Sequence, residues 1–128
     1  MQEDHSGIDR TFAEWIEAGR RGDAAAMASL VTEDGEFWSQ GRPPLRGREA
    51  VLQGFLAAMA DYVFEQQWES VERIVAGDWA IDRGIERNVI VKKSDGTRVE
   101  ITQRAFSILR READGRWRFA RGITNRES

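Results

Sequence analysis

Few side chains in this chain could carry chemistry unaided. There is no cysteine, which removes disulfides, thiolate metal sites and thiol nucleophiles. The only histidine, His5, lies in the N-terminal stretch, so Ser39 has no histidine to activate it and no metal site is expected. Aromatic and amide groups remain. Trp15 sits mid-face on a predicted helix, where it either packs the core or turns its indole N–H into a cavity as a neutral donor. Phe55 and Met59 share the inward stripe of another helix, and Trp38 and Ser39 end a short strand. Gln103 and Ser107 interrupt a strand face that is otherwise apolar. Asp82, Arg83 and Glu86 put two carboxylates beside a guanidinium, but strand alternation sends the carboxylates one way and the arginine the other. Five tryptophans against one tyrosine suit a packed core and a hydrophobic ligand site equally.

The elements that must position these residues divide into a helical first half and a stranded second half. Ser6 and Asp9 read as a capping box for a helix from Ile8 to Arg20, with Ile8, Phe12, Trp15 and Ile16 on one face. Gly22 ends it, and Asp23 can cap a short second helix that buries Ala26, Met27, Leu30 and Val31. Glu36 to Ser39 reads as a strand, and Gly41, Pro43 and Pro44 force a loop. A third helix follows from Arg48 to Asp61, with Val51, Leu52, Phe55, Leu56 and Met59 at helical spacing.

Four long strands are then predicted: Val63 to Ala76, Trp79 to Lys92, Arg98 to Arg111 and Arg116 to Thr124. Gly77-Asp78, Ser94-Asp95-Gly96 and Ala113-Asp114-Gly115 separate them, and Asp-Gly between alternating stretches marks a tight hairpin. In the third long strand Val99, Ile101, Gln103, Ala105, Ser107 and Leu109 share the face read as interior. The opposite face keeps Phe106 and Ile108, so a partner subunit is expected against it. Three helices packed in the hollow of a bent sheet would bury their stripes and leave a conical cavity at the open end.

Composition narrows the class. One domain over residues 1–128 is expected at this length, with 32% charged and 41% hydrophobic residues, which is globular usage. A net charge of −3 gives no general pull toward nucleic acid or anionic lipid. The opening residues lack the basic and apolar runs of a signal peptide, and no apolar run is long enough for a membrane span, so the cytoplasm is the expected compartment.

The order of these elements resembles the nuclear transport factor two-like superfamily, in its SnoaL-like and ketosteroid isomerase-like branches. Trp15-Ile16-Glu17 before Gly22-Asp23 carries the resemblance, with Leu30-Val31-Thr32-Glu33-Asp34 and Pro43-Pro44-Leu45-Arg46-Gly47-Arg48-Glu49. Gly77-Asp78-Trp79-Ala80 with Arg83-Gly84, and Asp114-Gly115-Arg116-Trp117, extend it over nearly the whole chain. It implies an α+β cone, with three N-terminal helices packed in a strongly curved, mostly antiparallel sheet.

Function does not follow from the fold alone. Where the isomerases of the family carry a tyrosine, the resemblance aligns Trp15. Their catalytic aspartate falls at Trp38 or Ser39, and their second acid near Ser107. The acidic groups of that mechanism are therefore missing, and no catalytic residue follows from the comparison. The same comparison puts Arg83 on an inward position, with Asp34 or an anionic or carbonyl-bearing ligand as its partner; a bulge would instead turn Arg83 to solvent. The expectation is a homodimer that binds a small, mainly hydrophobic molecule, without cofactor or metal, between Trp15, Trp38, Ser39, Phe55, Met59, Arg83 and Gln103. An isomerase, cyclase or dehydratase with a different residue set, and an interaction module with a vestigial pocket, are the alternatives.

Overall fold

A computed structural model describes residues 5–127. The helices are α1 (His5–Arg21), α2 (Ala24–Ser29) and α3 (Arg48–Asp61). The strands are β1 (Val31–Ser39), β2 (Leu45–Arg46), β3 (Tyr62–Ala76), β4 (Trp79–Lys92), β5 (Arg98–Arg111) and β6 (Trp117–Arg126). They form one six-stranded sheet in the order β2-β1-β6-β5-β4-β3. Every pairing is antiparallel except β1 with β6. The α+β cone with three helices against a curved, mostly antiparallel sheet is the architecture that the resemblance implied.

The meander forms as its turn residues require. Gly77, Gly96 and Gly115 take positive φ of 62°, 73° and 82°, which an L side chain adopts only with strain. Shifts of register at Val71 in β3 and at Ala120 in β6, opposite Ile108/Leu109, bend the long strands, because an extra residue on one strand increases local twist. The sheet thus curls round the helices.

Four details depart from the expected elements. α1 starts at His5, so Ser6 is already helical rather than a cap, and Asp9 instead accepts from Arg73 Nη1 at 2.8 Å. β1 begins at Val31, not Glu36, because the break between Val31 and Glu36 absorbs the turn-like Thr32–Gly35 stretch. Within the loop read from the prolines, Leu45 and Arg46 pair with Phe37 and Glu36 as β2. Leu56 is about half exposed, so the apolar stripe of α3 is narrower than its spacing suggests.

The closed end of the cone is solid. Ile8 and Phe12 of α1 meet Leu30, Ala80, Leu109, Trp117 and Phe119, and burying each large side chain contributes roughly 1.5–3 kcal/mol. Polar groups fasten α1 to the sheet there. Thr11 Oγ1 donates to the Trp117 carbonyl at 2.8 Å. Arg73 Nε donates to the fully buried Asp82 at 2.7 Å, and Ser70 Oγ donates to the same oxygen at 2.9 Å. Among the described residues no helix is long and apolar enough to cross a membrane.

Candidate functional site

Strand pairing sets the inner wall of the cone residue by residue. Partners directly opposite point to the same face, so each register line is a row of side chains across the hollow. One row runs Trp68, Glu86, Gln103, Arg126 from β3 to β6. Toward the β4–β5 hairpin the next row is Gln66, Asn88 and Ile101. On the other side come Ser70, Gly84, Ala105 and Thr124, with Ser39 of β1 beside Thr124. Ser107 and Gly122 follow, with Phe37 beside Gly122.

These rows and the helices leave a cavity of about 490 Å³. That is within the usual range for small-molecule sites, roughly 300–1,000 Å³. Phe12, Trp15 and Ile16 of α1 and Phe55 of α3 form its roof, and Phe64 and Trp68 its β3 side. The roof is held by its own rings. Trp15 stacks on Phe37 at 6.1 Å between centroids and meets Phe55 and Phe119 edge-on at 5.4 and 5.2 Å. Trp68 stacks on Phe12 at 4.9 Å, lying over Gly84. A Cβ at Gly84 would lie 2.9 Å from Trp68 Cζ2 and 2.2 Å from the Glu69 carbonyl oxygen, so only glycine allows this placement.

Among the described residues Glu86 is the one acidic side chain lining the cavity. Asn88 Nδ2 and Gln103 Nε2 both donate to its Oε1, at 2.6 and 3.2 Å, which leaves Oε2 facing the cavity without a partner among the described residues. Burial raises its pKa above the ordinary carboxyl value, and the two amide donors only partly offset that by favouring the charged form. The arrangement can present either a carboxylic acid O–H or a carboxylate oxygen to a ligand in an apolar surround.

Of the residues singled out from sequence, the structure brings Trp15, Trp38, Ser39, Phe55 and Gln103 to this cavity. Trp38 reaches the cavity only at its open rim: pairing with Ile123, in line with Phe106 and Arg83, sets it on the convex side, about half exposed, its Nε1 donating to Glu36. Gln103 serves Glu86, which agrees with its reading as a group that satisfies a polar neighbour.

Met59 does not line the cavity. It is buried with Ala18, Ala24 and Met27 in a second cluster between the helices. The inward placement of Arg83 is also corrected. Alternation from buried Ala80 carries Asp82, Gly84 and Glu86 inward and Arg83 outward, with no shift in the β4–β5 register to reverse it. Arg83 is half exposed on the convex face, and its Nε donates to Glu72 at 2.8 Å. Asp34 is not its partner: it accepts from Thr32 Oγ1 at 2.9 Å and lies 3.7 Å from Arg121. As alternation required, Asp82 and Glu86 face inward, but no arginine stands between them, and Asp82 is committed to Arg73 at the closed end.

Asn88, Gln66, Trp68 and Arg126 join the site without having been singled out, and Glu86 had been weighed only beside Arg83. The signal was available for Glu86. The Ser94-Asp95-Gly96 turn pairs Val91 with Arg98, and counting outward sets Glu86 opposite Gln103, on the face already read as interior.

A profile of the SnoaL-like domain matches residues 12–120 of the chain, which therefore belongs to the SnoaL-like domain family. It is similar to the solved structure of a ketosteroid isomerase-like protein from Erwinia carotovora atroseptica SCRI1043, at 25% identity and a TM-score of 0.86, over 100% of this chain and 99% of that one. A conserved protein from Planctomyces limnophilus DSM 3776 is similar at 27% identity and a TM-score of 0.88, over 96% and 97%. ActVI-ORFA from Streptomyces coelicolor shares the fold, at 15% identity and a TM-score of 0.80, over 96% of each chain. No curated protein matches it in sequence.

Proposed function

We propose that the cavity binds a small, mainly hydrophobic molecule whose hydroxyl or carbonyl group meets Glu86. The observation that carries this reading is a ring-lined hollow of about 490 Å³ whose wall carries a hydrogen-bonded polar cluster, Glu86 with Asn88 and Gln103. The aromatic roof supplies non-directional affinity, and the cluster fixes orientation, because a ligand group that left Oε2 unpaired would forfeit a buried hydrogen bond.

Titration calorimetry with neutral aromatic alcohols and ketones, cinnamyl alcohol and benzylideneacetone among them, tests the reading. Ser107→Phe fills the hollow from the β5 wall and is expected to abolish binding while the folded signal is kept. Equal binding by the filled variant, or no binding by the wild type to any member of the set, overturns it.

The buried carboxyl also favours a catalytic use of the same cavity, since a group with a raised pKa in an apolar site is suited to proton transfer. In that case turnover would follow the ionisation of Glu86 and vanish in Glu86→Gln. A second copy of the chain is the proposed partner of the convex face, where Ile74, Trp79, Ile81, Phe106 and Ile123 stand exposed across β3 to β6.

A further inference from the structure

We infer that the ligand is a hydrophobic carboxylic acid, its carboxylate held between the Arg126 guanidinium and the Oε2 oxygen of Glu86 carrying a proton. This rests on the reading of the cavity as a small-molecule site and specifies the ligand's head group. The row Trp68, Glu86, Gln103, Arg126 puts the two charged side chains on the same concave face with one residue between them. Their backbones are two strand spacings apart, about 10 Å, which leaves a gap the size of a small anion once the arginine extends. Gln103, between them in the row, turns its amide toward Glu86 and donates to Oε1.

Arg126 is the second part of the argument. Its backbone N–H donates to Gln40 Oε1 and its carbonyl accepts from Arg104, but its guanidinium has no ion pair or hydrogen bond among the described residues. Arg73, Arg83, Arg111, Arg116, Arg118 and Arg121 have carboxylate partners; Arg42, which also lines the cavity, shares the lack of one among the described residues but lies in the loop after β1, off the row that carries Glu86. An unpaired guanidinium lining a cavity offers a planar fork that matches a carboxylate.

The charges facing Glu86 can be enumerated. Arg126 and Arg42, from the loop after β1, are the other ionisable side chains lining the cavity. α1, α2, α3, β1, β2, β3 and β5 line it with uncharged groups alone. A ligand carboxylate beside an ionised Glu86 would set two anions together in an apolar wall, whereas one shared proton turns the pair into a strong O–H···O⁻ bond. The burial that already favours the protonated form of Glu86 prepares it for this. Binding must therefore take up a proton wherever free Glu86 is ionised.

Cinnamate, ionised throughout about pH 6 to 8, is the probe, with cinnamamide and cinnamyl alcohol as uncharged counterparts. Calorimetry in buffers of different ionisation enthalpy is expected to give uptake of up to one proton per cinnamate. Its affinity should fall by up to tenfold per pH unit across that window, with no such slope for the uncharged pair. Arg126→Gln is expected to weaken cinnamate about fivefold and to remove most of its salt dependence, without changing cinnamyl alcohol. Glu86→Gln keeps a hydrogen-bond donor at the site, so it should still bind cinnamate but lose the pH slope and the proton uptake. Cinnamyl alcohol binding with cinnamate no tighter in the wild type than in Arg126→Gln overturns this inference alone. Binding of cinnamate without proton uptake at a pH where Glu86 of the free protein is ionised, as read from its carboxyl infrared band, also overturns it. Failure of all three probes overturns the cavity reading with it.

Discussion

Arg73→Met tests the idea that the closed end of the cone depends on one buried ion pair. Asp82 has no exposed surface, and its Oδ1 has no hydrogen-bond partner. Its Oδ2 relies on Arg73 Nε at 2.7 Å and Ser70 Oγ at 2.9 Å. Removing the guanidinium leaves a buried carboxylate with one neutral donor, a loss of the kind that costs about 3–5 kcal/mol. The outer contact of Arg73 with Asp9 adds little, at most about 1 kcal/mol, because the Asp9 side chain is 68% exposed. Loss of the guanidinium over the Phe12 ring, 5.9 Å from its centroid, adds a similar amount. The single variant should therefore lose about 3–6 kcal/mol in urea unfolding at pH 7 with an unchanged m-value. Arg73→Met combined with Asp82→Asn removes both charges and should recover about half of that loss or more. A single-variant loss below about 1 kcal/mol, or a double variant no more stable than the single, would show that the closed end does not depend on the pair between β3 and β4.

The other predictions are briefer. Glu86→Gln should gain stability relative to wild type as pH rises. The folded state holds a proton on Glu86 above the ordinary carboxyl pKa of 4.5, so wild-type stability falls as pH rises from there through the raised folded value; parallel urea curves at pH 5 and pH 8 that keep a constant difference would contradict this. Gly84→Ala drives a Cβ to 2.2 Å from the Glu69 carbonyl and should cost about 1–3 kcal/mol, read by thermal unfolding, while also displacing Trp68 and weakening ligand binding. Arg83→Ala, on the convex face with its half-exposed Glu72 partner, should change stability by under about 0.5 kcal/mol and leave ligand binding intact by calorimetry. Ile81→Asp with Phe106→Asp puts two charges on the exposed convex face and should shift the mass by light scattering to that of one chain, whereas an unchanged mass in both would remove that face as the partner surface.

Local signals were enough to read the helices and the meander, because each depended on a period or a turn residue that nothing distant could override. The positive φ of Gly96 and Gly115 fits the Asp-Gly turns, and the interior face of β5 holds from Ile101 to Leu109 with Gln103 and Ser107 on it. What failed was inference by position in a family. Arg83 was carried inward by resemblance, against the alternation of its own strand, in which Ala80 and Gly84 are buried. Met59 failed for another reason: a helical stripe shows which residues face inward, but not whether they meet a neighbouring helix or the hollow. Leu45 and Arg46 pair as β2 only because β1 is beside them, and two residues carry no period to read.

The correction from Arg83 to Glu86 changes the chemistry as well as the address. With an inward arginine the hollow would have been a fixed cationic site that attracts anions at any ordinary pH. With Glu86 at the wall and Arg126 farther along the same row, its charge depends on one proton. Protonated, Glu86 leaves a site that donates to a carbonyl or carboxylate; ionised, it accepts from a hydroxyl and repels an acid. The fold confines this choice to one end, because at the closed end Arg73 and Ser70 both hold Oδ2 of the buried Asp82. A single cone therefore holds one carboxylate paired with an arginine at its tip and another held by two amides nearer its mouth, separated along β4 by Gly84 and the indole lying over it.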